Sequence, residues 1–141
     1  MSADWVMTFP ISVFTRIKAK MPKELKSGNQ TIKLTSSNFS MVSNKNTSAV
    51  FPFIYVQVTS IKERGRDLEG KNINGALFGF QIDVTDNQSQ SNARIVMSEV
   101  LKIMRDMQFE LFDGPTFKAT QDNTHRMVVR FTTLRGANDI L

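Results

Sequence analysis

Residues 76–86 read ALFGFQIDVTD, and the fold is decided by how this stretch is taken. Phe78, Phe80, Ile82 and Val84 alternate with Gly79, Gln81 and Asp83. A period of two puts the first set on one face of a strand and the second on the other. Upstream, residues 51–61 (FPFIYVQVTSI) are dense in β-branched and aromatic side chains, which suit a pleated surface. Ile54, Val56 and Val58 are expected to face a core, with Tyr55, Gln57 and Thr59 opposite. Pro52 cannot donate to a ladder and so marks an edge or a strand entry. The two strands predict a long hairpin. Downstream the period changes. Ala93, Val96, Met97, Val100, Leu101, Met104 and Met107 recur at helical spacing, predicting an amphipathic helix about 25 Å long. Its N-cap is expected among residues 86–91, with Asp86 as a candidate.

Working outward, Val13, Phe14, Ile17 and Met21 predict a helix over residues 10–21, which residues 5–9 either extend or lead into. Pro10 would stand at its first position, where a missing N–H costs nothing, and Pro22 would end it. After a Ser-Gly-Asn turn, residues 30–35 (QTIKLT) alternate as a short strand. A turn at 113–115 (Asp-Gly-Pro) leads to a last hairpin, 116–121 and 126–134, closed around 122–124. The order is α-β-β-β-α-β-β in a single domain spanning 1–141. The expected class is α+β: a mostly antiparallel sheet of about five strands with two helices packed on it. Residues 135–141 are expected to form a short polar tail.

Two connections stand out by length. Residues 36–50 open with SSNFSMVSNKNTS, whose serines and asparagines compete with the backbone for hydrogen bonds. Residues 62–75 (KERGRDLEGKNING) hold seven charged side chains and three glycines. Loops of this length in a compact domain are usually functional or disordered. Phe39, Met41 and Val42 in the first, and Arg64, Arg66, Asp67 and Lys71 in the second, are therefore the candidate protein-contact residues. The apolar set would supply burial and the charged set register.

The 141 residues are 40% hydrophobic and 22% charged, with no cysteine and one histidine. Disulfides and thiolate chemistry are excluded, as is any metal site needing two histidines. His125 lies in an expected turn, where a surface role is the plain reading. No phosphate-cradling glycine motif and no nucleophile elbow occur. Gly65, Gly70 and Gly75 interrupt a charged segment and precede no helix. Asp83 and Asp86 fall on a strand and a helix cap. Met97, Met104 and Met107 continue the apolar stripe, so they read as core packing. No enzyme activity, cofactor or metal is expected. Neither a signal peptide nor a run of about 20 apolar residues is evident, so no membrane role is expected either.

The net charge is +5. Residues 1–47 carry the whole excess, through Arg16, Lys18, Lys20, Lys23, Lys26, Lys33 and Lys45 against Asp4 and Glu24. Such a segment is either the solvated face of a helix or an electrostatic footprint for nucleic acid.

Nearly the whole chain resembles the tail terminator (tail completion) proteins of long-tailed bacteriophages. The stretches that carry the likeness are DW…FTRIKAKMP, FPFIYVQ, DLEGKNIN, ALFGFQIDVTDNQSQSNA, VMSEVLKIMRDM and RMVVRFTTLRGANDIL. It is a likeness of order, length and loop texture. The resemblance implies a virion structural protein, assembled in the host cytoplasm, that forms a closed homo-oligomeric ring, typically of six. The ring would cap the head-proximal end of the tail tube, stop tube polymerisation and present a joining surface to the neck or head-completion protein. Phage DNA would pass through it. A head-tail connector or stopper of the neck is the alternative reading, and a basic nucleic-acid-binding module a further one. The resemblance brings no catalytic residues.

Overall fold

The computed structural model describes residues 4–42, 50–66, 73–120, 123–136 and 139. Among these residues, two helices and seven strands follow one another: α1 (Asp4–Lys20), β1 (Glu24–Ser27), β2 (Gln30–Lys33), β3 (Phe39–Ser40), β4 (Phe53–Arg66), β5 (Ile73–Asp86), α2 (Gln90–Asp106), β6 (Glu110–Lys118) and β7 (His125–Gly136). The fold is α+β. One sheet has the order β3-β4-β5-β7-β6, and β1-β2 form a separate hairpin. All pairs in the larger sheet are antiparallel except β3 with β4, so the sheet is mixed.

The deciding stretch behaves as its alternation predicts. Phe78, Phe80, Ile82 and Val84 are fully buried, and so are Ile54 and Val56 directly across from Val84 and Ile82 on β4. From β7, Val129 and Phe131 join the same face. Helix α2 lies across β5 and β7 on that side, with Ala93, Val96, Met97, Val100 and Met104 in the core. The methionines are packing residues. Ser89, not Asp86, is the N-cap of α2, its Oγ accepting from the Asn92 N–H at 3.1 Å. Asp86 works one turn earlier, its carboxylate accepting from the Gln88 and Ser89 N–H groups. Both use the chemistry that suits Ser and Asp to helix starts.

Several sequence expectations are corrected. Helix α1 starts at Asp4, leaving Pro10 inside it rather than at its first position. An interior proline costs roughly 3 kcal/mol. Burying Val6 and Phe9 returns about 1.5–3 kcal/mol each, enough to carry the helix through the proline. The hairpin β1-β2 adds a strand before residue 30. Its turn uses Gly28 at φ +62, a conformation that side chains with a Cβ rarely adopt.

The expected loop 62–75 is largely strand. The ladder continues through Lys62↔Leu77, Glu63↔Ala76 and Arg64↔Gly75 to Arg66↔Ile73. Charged residues tolerate a strand wherever the face they point from is solvated, so pairing overrides their weak β propensity. Last, the tail assigned to 135–141 begins inside β7. Arg135 sits on its core face, and Gly136 pairs with Gly75.

β6 also starts earlier than expected, and the Asp-Gly-Pro turn at 113–115 is instead an irregularity within it. The register with β7 shifts between Leu111 and Asp113, and again between Asp113 and Thr116. Gly114 sits there at φ +85, where an added Cβ would meet the Val128 carbonyl oxygen at 2.6 Å. Backbone atoms cannot step aside as a flexible side chain can. Gly114→Ala is therefore expected to destabilise the fold by about 2–3 kcal/mol, read as a lower midpoint in urea unfolding. An unchanged midpoint would show that β6 re-pairs without the irregularity.

Candidate protein-interaction surfaces

The seven residues singled out from the sequence have different fates. Phe39, expected on an exposed loop, is buried at 8% exposure, paired in β3 against Ile54 and part of the core. The reason lies next to it. Asn38 is buried, its Nδ2 donating to the Pro52 carbonyl at 2.7 Å and its Oδ1 accepting from the Thr35 N–H at 2.9 Å. The first bond fastens the serine-rich segment onto the entry of β4, and the second closes the segment's own turn. Met41 is half-buried and Val42 is 73% exposed. Beyond them, residues 43–49 lie outside the described residues.

Arg64 is exposed near the end of β4, its guanidinium donating to the Glu63 carbonyl. Arg66 ends that strand, and its side chain is outside what is described. Asp67 and Lys71 lie outside the described residues altogether. Arg64 and Arg66 thus stand on the β4-β5 hairpin as its strands approach their connection, rather than on a long irregular loop.

The sheet face turned away from the helices carries a tied polar network, beside an exposed Leu134 paired with Leu77. Asp83, across from Tyr55, accepts from Arg126 Nε at 2.8 Å, and Gln81 Oε1 accepts from Arg130 Nε at 3.0 Å. Arg130 also reaches Asp113 at 3.3 Å, which joins β5, β7 and β6 through side chains. Asp83 is buried although no helix covers it, because its neighbours on the sheet shield it. His125 opens β7, half-buried, where the sequence suggested a turn. Among the described residues, no three His, Cys, Asp or Glu side chains gather into a group able to hold a metal. Nor is any described helix long and apolar enough to cross a membrane.

Besides Val42, Val50, Ile61 and Leu134, which are exposed singly, large apolar side chains reach solvent in pairs at two places that the sequence reading passed over. On α1, Met7 is 77% and Ile11 57% exposed. On β6, the edge strand beside β7, Leu111 is 45% and Phe112 69% exposed. Both patches were hidden by boundaries. Starting the first helix at residue 10 leaves Met7 out of it. Starting the last hairpin at residue 116 leaves Leu111 and Phe112 unassigned. Two adjacent apolar residues between Glu110 and Asp113 were the available signal, since a strand with one buried face puts one of such a pair outside. No family model and no curated protein matches the chain.

Proposed function

We propose that this chain is a structural, ring-forming virion protein that caps the head-proximal end of a phage tail tube and offers the neck a joining surface. The observation that carries the ring is the presence of two unlike exposed apolar patches, one on α1 and one on the β6 edge. A closed ring needs a heterologous interface, in which two different surfaces of each subunit meet and the rotation closes. A two-fold dimer would need only one self-complementary patch. The position of the ring on a tail rests on the family resemblance, which runs through both helices and the β4-β5 hairpin.

The role is tested by mixing the full chain with purified tail tubes and examining them by electron microscopy. A ring at one tube end, with tube growth halted, is the expected result. A chain that neither oligomerises nor binds tube ends refutes the terminator role. Within this reading the β4-β5 hairpin supplies charged contacts. The double variant Arg64→Glu, Arg66→Glu is expected to weaken assembly about tenfold or more, with the thermal midpoint held within a few degrees. A large drop in that midpoint would make the two arginines structural instead.

One observation favours a second reading. Lys20, Lys23, Lys26 and Lys33 are all exposed, running from the end of α1 through β1-β2. Phosphate contacts by such a cluster would make DNA affinity fall steeply with salt. A missing gel shift at low salt disposes of it.

A further inference from the structure

α1 and α2 each have 17 residues, yet only α2 has an ordinary outer face. The exposed positions of α2 are all polar, Ser91, Arg94, Ser98, Lys102 and Arg105 among them. α1 buries one row, Val6, Phe9, Val13 and Ile17, and shows solvent another, Met7, Ile11, Thr15 and Ala19, spaced four apart. Residues four apart stack on one side of a helix, so this second row is a continuous stripe. It widens into an open groove of about 490 Å³, lined by Ile11, Ser12, Thr15, Arg16, Ala19 and Lys20. The small side chains in the middle leave room for a ring, and the cationic end is set by Arg16 and Lys20.

The start of β6 has the opposite character. Leu111 and Phe112 are both exposed between Glu110 and Asp113, and Asp113 already shares its charge with Arg130. Addition of a further strand is a poor use of this edge. The register breaks at both ends of the Asp113-Gly114-Pro115 stretch, and proline has no N–H to give. The edge therefore offers side chains rather than a ladder.

We propose that Leu111 and Phe112 of one copy seat on the Met7–Ile11–Thr15–Ala19 stripe of a second copy, with Glu110 turned toward its Lys20. Each chain has one stripe and one β6 edge, so the contact runs head to tail. The occupant is a second copy because both halves of the match are on this chain: apolar against apolar, acid against base. The inference rests on the ring reading and names the surfaces that would build it.

The chain has no cysteine, which makes the test direct. The full-length double variant Ile11→Cys, Phe112→Cys, oxidised at high protein concentration, is expected to give a ladder of linked chains on denaturing gels. Each single variant should stop at dimers at most. In parallel, Phe112→Ser and Ile11→Lys are each expected to raise the half-assembly concentration by about tenfold or more, with unchanged melting because both side chains are exposed. Lys20→Glu should weaken assembly, and Glu110→Lys should recover part of it. Wild-type assembly that persists in Phe112→Ser and Ile11→Lys overturns this contact and leaves the ring reading standing. A wild-type chain that stays monomeric, with no ladder from the double variant, overturns both.

Discussion

Phe78→Ala is expected to lower the stability of the fold by about 3–5 kcal/mol, the range for emptying a fully buried phenylalanine site. Phe78 is the ring on which α1 is fastened to the sheet. Trp5 meets it edge-on at 6.0 Å, Phe9 tilts against it at 4.5 Å, and Phe80 lies 6.4 Å away on the same strand. Removing it leaves a cavity between layers, which the surrounding strands cannot fill because β4 and β7 hold β5 in register on both sides. Whole domains are stable by only about 5–15 kcal/mol. The thermal midpoint should therefore fall by roughly 10–20 °C. Trp5 is the single tryptophan, so its emission reports the same site. It should shift to the red even in the folded variant, as α1 loosens from β5. A loss under about 1 kcal/mol would mean that α1 repacks over the gap.

That result also bears on how far the sequence could be read. Where one face of an element is buried and the other solvated, periodicity is a direct record of packing. Residues 76–86 and the stripe from Ala93 to Met104 gave two elements and their buried faces in advance. The method fails where another force sets the backbone. Four of residues 62–66 are charged, and they hold a strand because β5 offers a ladder, which local composition cannot announce. Asn38 ties residues 36–40 down through the Pro52 carbonyl, fourteen positions away. Phe39 therefore enters the core from a segment that reads as loop. The α1 stripe escaped for a different reason. A proline reads as a first helical position, whereas burial of Val6 and Phe9 outweighs its cost inside the helix. Exposed apolar residues carry no period of their own, so Met7, Ile11, Leu111 and Phe112 become visible only once the elements beneath them are placed.

Arg135 is where sequence and packing diverge most, and its replacement is the second large effect expected. An arginine near the C-terminus reads as a solvated tail residue, yet Arg135 is buried on the core face of β7. Its guanidinium donates to the Met107 carbonyl at the C-cap of α2 and, through Nε, to Thr133 Oγ1 at 2.8 Å. It also lies over the rings of Phe9 and Phe109, 5.7 and 5.3 Å from their centroids. One side chain thus joins α1, the end of α2 and β7. Burial pulls its pKa below the usual arginine value, while Asp139 acts to raise it.

The charge is desolvated at a cost, which the hydrogen bonds and ring faces offset. Arg135→Ala removes the offsets and leaves the Met107 carbonyl without its donor. A hydrogen bond to a charged group contributes about 1.5–3 kcal/mol, and a desolvated cation–ring contact about 2. The loss should approach 3–4 kcal/mol, close to that of Phe78→Ala. Arg135→Met separates the contributions, because both variants remove the desolvated charge but only Met keeps the apolar stem over Phe9 and Phe109. Its cost should fall to about 1–2 kcal/mol, left mainly by the Met107 carbonyl. Urea unfolding of the two variants measures the difference. Equal losses would mean that the guanidinium's polar bonds carry the whole contribution and its packing none. A Met variant as stable as the wild type would mean that the desolvation cost cancels those bonds, leaving Arg135 to fix where α2 ends rather than to add stability.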